Sequence, residues 1–104
     1  MITTNGQPIL PGVVAESSRG HYASMIVVGT ALDLGWDDKD VRRALSQYSE
    51  HYDNGRWEFF DAWYDIVDEA EAWLNDNTEG GVWHWYDGEF RVDTLEDYEK
   101  EWGE

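Results

Sequence analysis

The chain has 104 residues, 23 of them Asp or Glu against seven Lys or Arg, a formal net charge of −16, with 41% hydrophobic residues. That length accommodates one ordinary domain, and seven Trp, six Tyr and three Phe supply more core material than a disordered acidic tail carries. The absence of cysteine excludes a disulfide scaffold, a thiol nucleophile and cysteine-based zinc or iron–sulfur sites.

Residues 1–16 read as a turn-rich arm. Asn5-Gly6, Pro8 and Pro11-Gly12 interrupt Ile2, Ile9, Leu10, Val13 and Val14, leaving room for a short edge strand. The start, Met1-Ile2-Thr3-Thr4, lacks the basic flank and apolar run of a signal peptide, and no stretch approaches the roughly 18 apolar residues of a spanning helix. The expectation is a soluble, cytoplasmic protein. A first helix, capped by Ser17 or Ser18, runs to Leu34 with Tyr22, Met25, Ile26, Gly29 and Leu32 at helical spacing and Gly35 as its stop. It is the least charged helix and therefore the one expected deepest in the core. Gly29 would mark a close approach of another element or be a simply tolerated glycine. Asp37 and Asp38 offer caps to a second helix with Val41, Leu45, Tyr48 and Tyr52 on one face. After Asp53-Asn54-Gly55, a third helix from about Arg56 to Asn75 carries a wide core stripe of Phe59, Phe60, Trp63, Ile66, Val67, Ala70, Trp73 and Leu74.

The pattern then changes to a period of two. Val82–Tyr86 and Glu89–Asp93 flank Asp87-Gly88, a favoured type I′ turn. Pairing across it sets Trp85 opposite Phe90 and Trp83 opposite Val92 on one face, with Tyr86 opposite Glu89 and His84 opposite Arg91 on the other. The His84–Arg91 pair reads as surface charge balancing among acids. Thr94 with Asp97 three residues on resembles a capping box that opens a short final helix, with Leu95, Tyr98 and Trp102 facing inward. The expected fold is α+β: three main helices, a C-terminal β-hairpin and a short final helix in one domain over 1–104. The helical part occupies 17–76, the hairpin 82–93 and the last helix 94–102.

Charge is distributed unevenly along this plan, because residues 1–36 hold two acids and one base whereas residues 37–104 hold 21 acids and six bases. On the polar side of the third helix, Glu58, Asp61, Asp65, Asp68 and then Glu71 or the Asn75-Asp76 end recur at spacings of three and four, and no Lys or Arg occurs from 57 to 90. Like charges at those spacings cost a few tenths of a kcal/mol per pair, so solubility alone would favour a mixed-charge face. Glu69, Glu79, Glu89 and the acids Glu96, Asp97, Glu99, Glu101 and Glu104 would form a second row if the final helix lay beside the third. Trp57, Tyr64, Tyr86 and Trp102 are candidate aromatic anchors beside those acids.

Other chemistry finds little support. Asn75, Asn77, Glu79 and Gly80 match the first half of a calcium loop, but Tyr86 stands at the twelfth position and a strand follows where a helix is required. His21, His51 and His84 are scattered without metal-ligand spacing, and no nucleophile-elbow, P-loop or dinucleotide glycine motif occurs. The expectation is therefore a non-enzyme without cofactor or metal.

In its acids from Asp37 to Glu104, the chain resembles small, acidic, cysteine-free inhibitors that mimic DNA, of the phage anti-restriction and anti-CRISPR type. The resemblance is one of composition. It implies a binding protein whose carboxylates occupy the basic nucleic-acid channel of a host defence complex or nuclease, binding no nucleic acid and no membrane itself. The partner-binding residues would be Glu58, Asp61, Asp65, Asp68, Glu69, Glu71, Asp76, Glu96, Asp97 and Glu99 with Trp57 and Tyr64. Two other readings stay open at this point: an immunity protein or antitoxin that caps a basic toxin nuclease, and an ordinary small domain adapted to high salt. The tryptophan content also leaves a homodimer open.

Overall fold

The computed structural model describes residues 1–16, 22–55 and 57–101, and the backbone alone of Trp57. The candidate caps Ser17 and Ser18, together with Arg56, Trp102, Glu104 and the Trp57 side chain, lie outside the described residues. The elements in chain order are β1 (Ile2–Thr3), β2 (Gly12–Glu16), α1 (Tyr22–Asp33), α2 (Lys39–Asp53), α3 (Trp57–Asp76), β3 (Thr78–Glu79), β4 (Gly81–Tyr86), β5 (Glu89–Thr94) and α4 (Leu95–Glu101). The architecture is mixed α+β, and no described helix is long and apolar enough to cross a membrane.

The hairpin forms in the register that alternation dictates, with Trp83 on Val92, His84 on Arg91, Trp85 on Phe90 and Tyr86 on Glu89. Asp87 and Gly88 take φ of 50° and 78°, as a type I′ turn requires. The edge strand of the arm is also real: β2 pairs antiparallel with β5, so the sheet order is β2-β5-β4 and β5 is central. This third strand is what gives the hairpin independent support. A register shift between Val13 and Ala15 bends β2. The short β1–β3 pair fastens the N-terminus to the chain beyond α3, with Thr3 buried and accepting from the Gln7 N–H at 2.9 Å.

The core lies between one face of the sheet and the helices. Trp83, Phe90, Val92 and Ala15 face Val27, Val28, Ala31 and Leu32 of α1 and Trp63, Val67, Ala70 and Leu74 of α3. The α3 stripe packs on the core as its spacing predicts, with Phe60, Trp63, Val67, Ala70 and Leu74 buried and Phe59, Ile66 and Trp73 half-buried. On α1 the buried face differs from the expected one. Ala23, Val27, Val28, Ala31 and Leu32 point inward while Tyr22 is 53% exposed and Met25 and Ile26 are half-buried. Most side chains of α1 are apolar and fall on every side of the helix, so periodicity could not choose the face; contact with α3 and β2 did. Gly29 is not a close approach, because a Cβ there would meet only Leu45 Cδ2 at 3.9 Å. Asp38, rather than Asp37, caps α2, its Oδ1 accepting from the N–H groups of Asp40 and Val41 at 3.0 and 3.1 Å.

A buried polar contact joins the three main helices: Ser24 Oγ of α1 accepts from the Trp63 indole N–H at 3.0 Å and also contacts the Tyr48 hydroxyl. Burial pushes the Tyr48 hydroxyl above its ordinary pKa, and the Ser24 contact partly opposes the rise. Around it, Tyr48 packs edge-on against Phe60 at 5.4 Å and against Phe59 at 6.0 Å.

Candidate functional site

At about 100° per residue, the core residues of α3 occupy one side of the helix, and Glu58, Asp61, Asp65, Asp68, Glu69 and Asp76 fall within an arc of about 100° opposite it. All six are exposed. From Glu58 to Asp76 the arc extends about 27 Å along the helix at 1.5 Å per residue. Among the described residues, none of the six has an ion-pair partner. The ion pairs among the described residues join Arg91 to Glu89 and Asp93, and Lys100 to Glu96, while His84 hydrogen-bonds Asp93. The sequence-predicted row is therefore an exposed acidic face without an ion-pair partner among the described residues, dense from Glu58 to Glu69 and resumed at Asp76. Tyr64 stands on its flank, 64% exposed.

Glu71 departs from this row. It is only half-buried at the seam where β4 meets α3, and burial raises its carboxyl above the ordinary glutamate value. Asp68 adds to that rise, while the Trp85 indole and His84 oppose it. Along the same seam Asn75 clasps the free edge of β4: its Oδ1 accepts from the Trp83 N–H at 2.8 Å and its Nδ2 donates to the Trp83 carbonyl at 3.0 Å. Every second residue of an antiparallel edge strand turns its backbone groups outward, and Asn75 satisfies them here as a neighbouring strand would. The calcium-loop pattern dissolves at this point. The Asn75 amide is committed to Trp83, and the Asn77 amide bonds the Trp73 carbonyl and the Thr4 hydroxyl.

The second acidic row is not beside the first. Glu96, Asp97 and Glu99 are exposed on α4, and α4 packs on β4 and β5 through the face that carries His84. Trp83 and Trp85 alternate to the α3 side of the sheet, so His84 and α4 lie on the other. Leu95 is 46% exposed, contrary to the inward position expected of it, and no described residue of α4 is fully buried. Tyr98 is half-buried, its ring edge-to-face on His84 at 5.0 Å. The cap is as expected: Thr94 Oγ1 accepts from the Asp97 N–H at 3.2 Å.

Under Tyr98 lies a cluster that sequence reasoning missed. Asp93, 7% exposed, accepts from His84 Nε2 at 2.7 Å and binds Arg91 through both carboxylate oxygens at 3.3 Å. Arg91 also reaches Glu89 at 3.3 Å. Burial alone would raise the Asp93 carboxyl, yet the Arg91 and His84 hydrogen bonds outweigh it and hold Asp93 below the ordinary aspartate value. His84 and Arg91 are thus two donors to one buried carboxylate, not merely surface charges. The available signal was the alternation itself, which puts Asp93 on the face of His84 and diagonal to it.

No protein-family model, curated protein or solved structure matches the chain.

Proposed function

We propose that this protein is an acidic, nucleic-acid-mimicking inhibitor that occupies the basic nucleic-acid-binding surface of another protein, such as a nuclease or a host defence complex. The observation that carries the reading is the α3 face: six exposed carboxylates in one arc, with no cation among the described residues to neutralise them. Four of its like-charge neighbours stand three or four residues apart, a repulsion of about 1 kcal/mol in all. The buried stripe on the other side of α3 offsets that cost, so the helix can hold a phosphate-like array rigidly. One row of carboxylates, spaced on average about 5 Å apart along the axis, imitates one phosphate strand, at about 3.4 Å per phosphate, more closely than a duplex. A groove built for a single strand is the fitting partner surface. Such grooves combine cations with aromatic platforms, and Tyr64 is placed to meet one.

The test begins with proteins retained from a host lysate at low salt and released by a salt gradient. Each is then assayed for loss of labelled single-stranded or duplex nucleic acid as the chain is added. Expected is displacement that weakens steeply with salt and disappears when Glu58, Asp61, Asp65 and Asp68 are replaced together by Lys. Full competition by that quadruple variant would overturn the reading.

The second reading, an immunity protein that caps a basic toxin nuclease, draws on Tyr64, whose exposed ring beside the acids has the character of an interface anchor. It predicts a single cognate partner whose complex survives high salt and loses more affinity through Tyr64→Ala than through any one charge neutralisation.

A further inference from the structure

Three places in the described chain set an asparagine or aspartate directly before glycine: Asn5-Gly6, Asn54-Gly55 and Asp87-Gly88. In such pairs the glycine N–H meets no side-chain hindrance as it approaches the preceding side-chain carbonyl, the geometry needed for succinimide formation. The three sites have the same local sequence chemistry to offer but are held very differently. Asn5 is fixed at both ends of its amide: the Thr3 hydroxyl donates to Oδ1, and Nδ2 donates to the Leu34 carbonyl at 3.0 Å. It also lies against Gly35, where even a methyl group would stand 2.6 Å from Nδ2. The Gly6 N–H that would have to attack is itself bonded to the Thr3 carbonyl at 2.9 Å. Asp87 offers a carboxylate, a poor electrophile, inside a two-residue turn.

Asn54 is exposed at the C-terminal end of α2, with Nδ2 donating to the Glu50 carbonyl at 2.7 Å. The Gly55 N–H makes a longer bond, 3.2 Å, to the Tyr52 carbonyl. Both partners belong to the last turn of a helix, where opening is easiest.

We infer that Asn54 is the site of spontaneous covalent modification in the folded protein, and that Asn5 is protected by the contacts that fasten the N-terminal arm to the chain just after α1. The Gly55 nitrogen loses its proton to hydroxide and bonds to Cγ of Asn54. The Cγ–Nδ2 bond breaks as Nδ2 takes a proton from water, so the amide leaves as ammonia and the hydroxide is regenerated. Water then opens the succinimide at either carbonyl, giving aspartate or isoaspartate, so the net change is one water consumed and one ammonia released. Each product places a new carboxylate at the C-terminal end of α2, beside Asp53 and unfavourable to the helix dipole. The isoaspartate also lengthens the backbone that leads into α3 and the acidic face.

The experiment incubates the intact protein at mildly alkaline pH and follows amide-to-acid conversion peptide by peptide by mass spectrometry, with isoaspartate identified by fragmentation. The same incubation in denaturing urea serves as the reference. Asn54 is expected to convert about tenfold faster than Asn5 in the folded protein, the factor that about 1.4 kcal/mol of additional hydrogen bonding represents. In urea the two rates should become similar. Equal rates in the folded state, faster conversion at Asn5, or no conversion at Asn54 over a period in which the unfolded chain converts would each overturn the assignment.

Discussion

Replacing Asn75 with alanine removes the side chain that closes the edge of β4, and the structure sets the size of the effect. Two hydrogen bonds to Trp83 are lost, at 2.8 and 3.0 Å, from a residue only 3% exposed. A buried backbone group left unsatisfied costs about 1–3 kcal/mol. Asn75 itself is exposed, so water reaches part of the vacated site and the lower end applies to each group. Against about 2–3 kcal/mol lost stands a gain of about 0.5 kcal/mol from alanine's better helix propensity, for a net destabilisation of about 2 kcal/mol. In a domain of this size that lowers Tm by roughly 8–16 °C. Urea unfolding followed by tryptophan fluorescence measures it directly. The Asn75→Asp variant separates the clasp from simple loss of contacts. An ionised carboxylate opposes the Trp83 carbonyl at neutral pH, whereas the protonated acid offers one donor and one acceptor in nearly the same positions as the amide. Its deficit relative to the parent should therefore shrink as pH falls toward about 4, the ordinary aspartate value, below which the acid is protonated in both folded and unfolded states. A shift under about 0.5 kcal/mol in the alanine variant, or a deficit in the aspartate variant that ignores pH, would refute the argument that Asn75 replaces a neighbouring strand.

The Asp93 cluster gives a second pH-dependent expectation. Because its folded pKa is depressed, Asp93 contributes stability that is present above its ordinary value and lost as pH falls through the lower folded one. Asp93→Asn should thus cost about 2 kcal/mol near neutrality and progressively less in acid, as read from urea midpoints across pH. Ser24→Ala leaves the Trp63 indole N–H without its acceptor and should cost about 1–2 kcal/mol, with a change in the buried tryptophan's emission. Gly29→Ala should instead stabilise by about 0.5–1 kcal/mol, since the new methyl meets ordinary van der Waals distance at Leu45. A destabilised alanine variant would mean that α1 and α2 approach more closely than 3.9 Å allows.

Where neighbours in sequence are neighbours in space, the chain was legible. Asp87-Gly88 and the flanking alternation gave the hairpin its turn and every pair of its register, and the three- and four-residue spacing of α3 by itself separates Trp63, Val67 and Leu74 from Asp61, Asp65 and Asp68. Those signals are local because a strand repeats every two residues and a helix every 3.6. The acidic face, the basis of the proposed function, is of this kind.

The remainder depended on elements far apart in the chain. An apolar helix such as α1 has no preferred side until α3 and β2 cover one, which is why Val28 and Ala31 are buried and Tyr22 is not. Whether α4 would double the acidic row rested on which face of the sheet it crosses, and its contact with His84 sends it away from α3. Glu71 and Asn75 share the spacing of the carboxylate row, yet their position at the β4 seam turns one toward Trp85 and the other onto the Trp83 backbone. Periodicity assigns a residue to a face of its own helix or strand; what that face meets is set by packing energies summed over the whole molecule.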